Sequence, residues 1–300
     1  MFGRRVSARP RSIGLFSAVS VGFILLFSSN AHGHGVVGDR IFLSPIVGND
    51  AFPDNAFSLT TRRSDFDFSP LPALEKQLSD NSSLLVTGGW EQQEPGPNPD
   101  VSGASDLSLY FRQAVYKSVS HEFELTVSPL IVVPTGTRQI ADHGYTHLGG
   151  ELLLGKGMGD LPDRPSQRYL RPFAVQAEVG YAGRIQGPAN SDLVANFEVE
   201  YSLRYLDQFV QHIGIEAPWV NLVPYAQFNY SQSLMASHLT TLPDFRLTPG
   251  TAYLGEYFEV SFGAQVALNG AAPTGDRVAV IGLVEVFYDE IVPALGWKPF

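Results

Sequence analysis

Leu193-Val194-Ala195-Asn196-Phe197-Glu198-Val199-Glu200-Tyr201-Ser202-Leu203-Arg204-Tyr205 is the stretch from which the fold is read. Its odd positions, from Leu193 through Phe197, Val199 and Tyr201 to Tyr205, are all apolar or aromatic. Asn196, Glu198, Glu200, Ser202 and Arg204 occupy even positions. Side chains alternate between the two faces of a strand, so this spacing makes a strand with one oily and one charged face.

The same parity recurs outward from there. Phe123, Leu125, Val127, Ile131 and Val133 oppose Glu122, Glu124, Thr126 and Ser128. Leu107, Leu109, Phe111 and Val115 oppose Asp106, Tyr110 and Arg112, and Leu148, Leu152 and Leu154 oppose His147 and Glu151. Phe173, Val175 and Val179 oppose Gln176 and Glu178; Leu222, Ala226 and Phe228 oppose Tyr225 and Gln227. Phe258, Val260, Phe262 and Val266 oppose Glu259 and Gln265; Val278, Val280, Val284 and Tyr288 oppose Arg277, Glu285 and Asp289. A strand near Ser82 to Glu91 carries Leu84, Val86 and Trp90 on one side, and a tenth fits between Phe57 and Phe68. Most of these runs exceed the ~5–6 residues usual in soluble proteins and match the ~9–11 that a tilted strand needs to cross a bilayer. No apolar run beyond residue 31 is long enough for a membrane helix.

The expected fold is therefore all-β: an antiparallel transmembrane barrel of about ten strands, within a range of about eight to twelve, because such barrels close in even numbers. Closure satisfies the backbone groups that lipid cannot hydrate and leaves no edge strand. Tyr and Trp near strand ends, such as Trp90, Tyr116, Tyr169, Tyr181, Tyr205 and Tyr225, suit belts at headgroup level.

Arg4, Arg5, Arg9 and Arg11, the apolar run Ile13 to Phe27 and the small residues around Ser29 and Ala31 have the layout of a signal peptide spanning 1–31. Cleavage there leaves residues 32–300, with a net charge of −14 in place of −10. That balance argues against nucleic acid. With no cysteine, no disulfide or thiol-linked lipid holds the fold. Residues 32–80, rich in Asp, Asn, Pro and Ser, read as an irregular segment that plugs the lumen or hangs as a periplasmic arm, with a short helix at Pro72 to Asp80. The barrel is expected over residues 81–300, in the outer membrane of a Gram-negative cell. Its partners would be outer-membrane lipid, the barrel-assembly machinery and a small solute.

Four segments resemble a group of uncharacterised proteobacterial outer-membrane proteins. They are the start His34-Gly35-Val36-Val37-Gly38-Asp39-Arg40-Ile41-Phe42, Tyr169-Leu170-Arg171-Pro172-Phe173, Leu222-Val223-Pro224-Tyr225 and Phe287-Tyr288-Asp289-Glu290-Ile291-Val292-Pro293. The group is distantly similar to the outer-membrane channel family linked to phenol-degradation pathways. The resemblance covers most of the mature chain through loose motifs. It implies a barrel that passes small molecules and brings no catalytic residues.

If the parity holds, the lumen is lined by Glu122, Glu124, Glu151, Glu178, Glu198, Glu200, Glu259 and Glu285, with Asp106 and Asp289, against Arg112, Arg204 and Arg277. An acid excess favours cations in a pore; equally, these groups pair with one another and fill a narrow interior. Cleavage would expose His32-Gly33-His34, a free amine and two imidazoles that suit copper, although a terminus with two chance histidines is the favoured reading. Asp142, His143 and His147 lie close together without the Gly-framed serine of a hydrolase, and no catalytic residue or other cofactor is assigned. Period two leaves three readings: a solute-passing barrel, a non-conducting structural or adhesive barrel, and a soluble periplasmic carrier with its oily face inward.

Overall fold

The computed structural model describes residues 35–65, 67–93, 101–138, 140, 144–187, 190–235, 242–272 and 274–300. A small hairpin of β1 (Val36–Val37) and β2 (Arg40–Ile41) comes first. The remaining strands are β3 (Ala56–Arg63), β4 (Asp67–Ser79), β5 (Ser82–Thr87), β6 (Trp90–Gln93), β7 (Val101–Ala104), β8 (Leu107–Ser118) and β9 (Phe123–Val133). They continue with β10 (His147–Gly157), β11 (Phe173–Arg184), β12 (Asn190–Tyr201), β13 (Leu222–Met235), β14 (Asp244–Leu254), β15 (Phe258–Ala267) and β16 (Val278–Phe287). All the pairings are antiparallel, and β16 pairs with β3 to close a ring. Among the described residues twelve strands form that ring, while β6 and β7 extend a hairpin beyond it. Twelve is the upper bound of the expected range.

The two strands beyond the expected ten are β4, in a segment expected to be irregular, and β14, which the parity reading did not include. Residues 56–63 and 67–79 are strands, and the short helix expected at Pro72 to Asp80 is part of β4. Pro70 and Pro72 fit because β5 stops at Thr87, opposite Ala73, and Gly88–Gly89 break the chain before β6 pairs again with Phe68. The prolines thus sit beside a gap in the ladder.

The parity holds around the ring. Outward residues stay exposed, among them Phe197, Phe228, Phe262 and Val280, while the polar row points in and is buried. One end of the quoted stretch departs from it. Ser202 accepts from Tyr205 N at 3.1 Å and caps a helical turn, α1 (Leu203–Tyr205), which ends the strand at Tyr201. Tyr205 therefore turns inward instead of joining an outer belt. Tyr225 is also inside, whereas Tyr116, Tyr169, Tyr181 and Trp90 are exposed near the two ends.

The described chain begins and ends at one end of the barrel, called here the terminal end; Arg63, Arg184 and Ala267, where β3, β11 and β15 stop, mark the far end. After β16 the chain forms a short helix, α2 (Tyr288–Ile291), and runs back across β3 to β4. There Lys76 Nζ donates to Leu295 O at 2.9 Å and Trp297 O at 2.8 Å, and Phe300 N donates to Leu78 O at 3.1 Å.

Candidate functional site: the lumen and its N-terminal plug

Residues 35–55 enter the barrel from the terminal end, reach mid-height near Gly48 and return to start β3. Two apolar clusters seat them. Leu43 and Ile46 pack on Val223, Ala252, Leu254, Ile281 and Leu283. Val37, Phe42, Ala51 and Phe52 pack on Leu153 and Ala174, with the Phe42 and Phe52 rings stacked 4.5 Å apart. Gly155 makes room for this: a Cβ there would stand 2.3 Å from Phe52 Cζ. At the apex Gly48 has φ +90°, and a Cβ would meet the Glu178 carboxylate at 2.0 Å.

The wall holds the plug mainly by its backbone. Leu43 N donates to Glu200 at 3.0 Å, Ser44 N to Glu259 at 3.1 Å, Asn49 N to Glu178 at 3.0 Å and Asp54 N to Glu75 at 3.2 Å. Gln227 accepts from Val47 N at 3.1 Å and donates to Val47 O at 2.6 Å. Gln176 donates to Leu43 O at 2.6 Å. Burying peptide groups without partners is costly, so a polar lumen wall is what lets an irregular segment sit inside a barrel. Carboxylate acceptors make these bonds stronger than neutral ones.

Two arginines tie the ends of the plug. Arg40, fully buried, donates to Pro172 O at 2.8 Å, pairs with Glu122 at 3.4 Å and lies 3.9 Å from the centre of the Tyr205 ring. Arg112 of β8 bridges the wall carboxylate of Glu75 and the plug carboxylate of Asp50, the latter at 2.5 Å. Glu122, in the left-handed region at φ 46°, also accepts from Gly159 N at 2.9 Å and from Tyr205 OH at 3.1 Å.

The sequence-derived lining thus sorts into three groups. Arg112, Glu178, Glu200, Glu259 and Glu285 touch the plug, as does Glu151 through Asn49 at 3.0 Å, while Glu122 meets Arg40 and Glu198 is buried on the inner face. Glu124 pairs with Lys117 at 3.0 Å at the terminal end, where Asp289 accepts from Asn55 at 2.9 Å. Arg204 and Arg277 are not on the lumen wall: Arg204 lies in α1, and Arg277 is exposed ahead of β16. Asp106 accepts from Gly136 N at 2.8 Å, at the base of the β6–β7 extension. His32, His34, Asp142 and His143 lie outside the described residues, and His147 is buried on β10.

Sequence reasoning missed Arg40, Asp50 and Glu75 and a charged cluster at the far end, and placed Gln227 on the polar parity without counting it in the lining. In that cluster Arg246 pairs with Asp276 and Asp244, each at 2.7 Å, while Arg62 meets Asp276 and, at 3.0 Å, Asp67. Burial pushes the Asp276 carboxyl up, but hydrogen bonds from Arg246 and Arg62 outweigh it and hold its pKa below the usual carboxylate range.

Among the described residues, three cavities flank the plug. One of about 460 Å³ opens at the far end between Arg62, Asn196, Asn229 and the plug tip. A second, about 320 Å³, continues from Thr60 and Asn196 down to Glu75 and Arg112. A third, about 180 Å³, lies at the terminal end among Phe52, Asp54, Gln77 and Lys117.

No protein-family model matches the sequence, and no curated protein does. Solved structures do. The COG4313 outer membrane channel from Pseudomonas putida F1 superposes with a TM-score of 0.53 at 11% identity, over 79% of this chain and 97% of that one. The NanC porin matches with a TM-score of 0.48 at 8% identity, over 77% of this chain and 98% of that one. The KdgM porin gives 0.44 at 7%, over 77% and 98%. At these identities the likeness is one of fold alone: the chain is a closed antiparallel β-barrel, similar in fold to the COG4313 outer membrane channel.

Proposed function

We propose that the chain is an outer-membrane barrel that passes small polar solutes, with cations preferred, through a lumen narrowed by its own N-terminal segment. The observation that carries this reading is the inversion of the barrel: a predominantly apolar outer face around a charged, cavity-bearing interior. An oily exterior of this extent has a solvent only in lipid, and closure satisfies the backbone there. Exposed Trp90 and Tyr181 toward one end, with Tyr116 and Tyr169 toward the other, suit the two headgroup levels. A signal peptide at 1–31 and delivery by the barrel-assembly machinery complete the reading. The acid excess inside sets the cation preference.

Two measurements test it. The mature chain should need detergent for extraction and should migrate differently on a gel when unheated; recovery by osmotic shock alone would support a periplasmic carrier instead. In planar bilayers, a folded variant lacking residues 35–50 should give cation-selective conductance steps. A folded deletion variant that stays silent would leave the non-conducting structural barrel, which the plugged terminal half favours.

A further inference from the structure

The plug does not fill the lumen evenly. Toward β13, β14 and β16 it is sealed by the packed cluster around Leu43 and Ile46. The three cavities follow one another from the far mouth, which is lined from β3 and β4 round to β12–β16, through a middle one against β3, β4 and β5, to a terminal one bordered by Gln77 of β4, Lys117 and Glu124. The upper two share Thr60, Leu71 and Asn196 as lining. The middle one ends at Glu75, and the lowest begins at Gln77, the next inward residue of β4. A knot of charged side chains lies between them. Arg112 donates to Glu75 and to both the carbonyl and carboxylate of Asp50, while Asp54 N closes on Glu75 at 3.2 Å. Arg112 is 1% exposed, and its Nε makes no hydrogen bond.

We infer that small cations cross by a bypass along the inner face of β4, beside a plug that stays seated, and that the Arg112 bridge between Asp50 and Glu75 is its gate. The inference rests on the channel reading and adds the route, the gate and the class of solute. Glu151 and Glu178 line the middle cavity, and Asp54 and Glu124 the lowest. The four cations along the line, Arg62, Arg246, Arg112 and Lys117, are each engaged by carboxylates, and the knot sets two carboxyl groups against one guanidinium. Such a path favours a monovalent metal ion or a small ammonium over an anion. Opening needs the Arg112 side chain to swing from one carboxylate, not removal of the buried Leu43 and Phe42.

The test is conductance in planar bilayers of the mature chain in potassium chloride. Arg112→Ala and, should that variant fail to fold, Glu75→Gln should each raise cation conductance several-fold over wild type. The chain has no cysteine, so single thiols report the route without background. In the opened variant, a cationic methanethiosulfonate reagent should block current when Ala73→Cys or Gln77→Cys is present, and leave it unchanged with Ala252→Cys, beneath the sealed side of the plug. Equal block at Ala252→Cys would mean the whole plug leaves, and would overturn the bypass. Wild-type conductance in both gate variants, beside a conducting 35–50 deletion, would overturn it too while leaving the channel reading intact. A silent, folded deletion would instead overturn the channel reading.

Discussion

The two halves of the lumen are walled by the same alternating strands yet are filled differently. At the terminal end a folded-in segment occupies the space, its main chain held by carboxylates and amides and its aliphatic side chains pressed on Val223, Ala252 and Leu153. At the far end the wall side chains turn to one another, with Arg62, Arg246, Asp244 and Asp276 spanning the mouth beside a cavity of about 460 Å³. The contrast shows that a polar lining does not by itself make a pore. Acids with a backbone to grip become a seat; acids with arginines beside them become a rim.

Three experiments sharpen the contrast, in falling order of expected effect. Arg40→Ala removes a buried cation and leaves Glu122 buried beside it, a loss of about 3–5 kcal/mol by analogy with broken buried pairs. Hydrogen exchange across Phe42 to Asn55 should then speed up while exchange in β10 to β13 stays slow; uniform protection would show that the plug is seated by its apolar contacts alone. Leu43→Ala deletes a side chain that is 1% exposed, for about 2–4 kcal/mol of plug docking. Because Arg40 is inaccessible in the intact barrel, trypsin should cut after it in this variant and spare it in wild type. Asp276→Asn at the rim should cost under about 1 kcal/mol, since partly exposed pairs are weak. Its pH dependence has a definite sign. A carboxyl whose folded pKa is depressed adds stability above its ordinary value of 3.8, and that stability fades as pH falls through the lowered pKa. The melting difference between wild type and Asp276→Asn should be constant at pH 5–7 and shrink on acidification below about pH 4. A difference that grows there would contradict the rim assignment.

How much of this was legible in the sequence depended on distance along the chain. Parity placed Phe197, Glu198, Phe262 and Glu285 on their correct faces because the strand period is local. It failed at Tyr205, where one serine cap converts extended chain into a helical turn. It also failed over Pro70 to Asp80, where two prolines argue against a strand unless a partner strand stops short of them, as β5 does. The acid row was visible, but its use was not: nothing within β12 says that Glu200 meets Leu43 N, 157 residues earlier. The plug was one of two readings offered for the N-terminal segment. Arg40 and Asp50, its fastenings, carry no periodic signature at all.

Lys76 has a consequence for how the cylinder is completed. The ring shuts only when β16, the last strand to be made, finds β3, the first. The final residues then pass over that join and are fastened to β4 by Lys76 and Phe300 N, so the seam is sewn from outside by the chain's own tail. The same lysine holds Asn55 Oδ1 at 2.8 Å, where the plug hands over to β3. Docking the tail and seating the plug thus meet at one ammonium group, and a chain shortened by its last few residues should close more loosely at both.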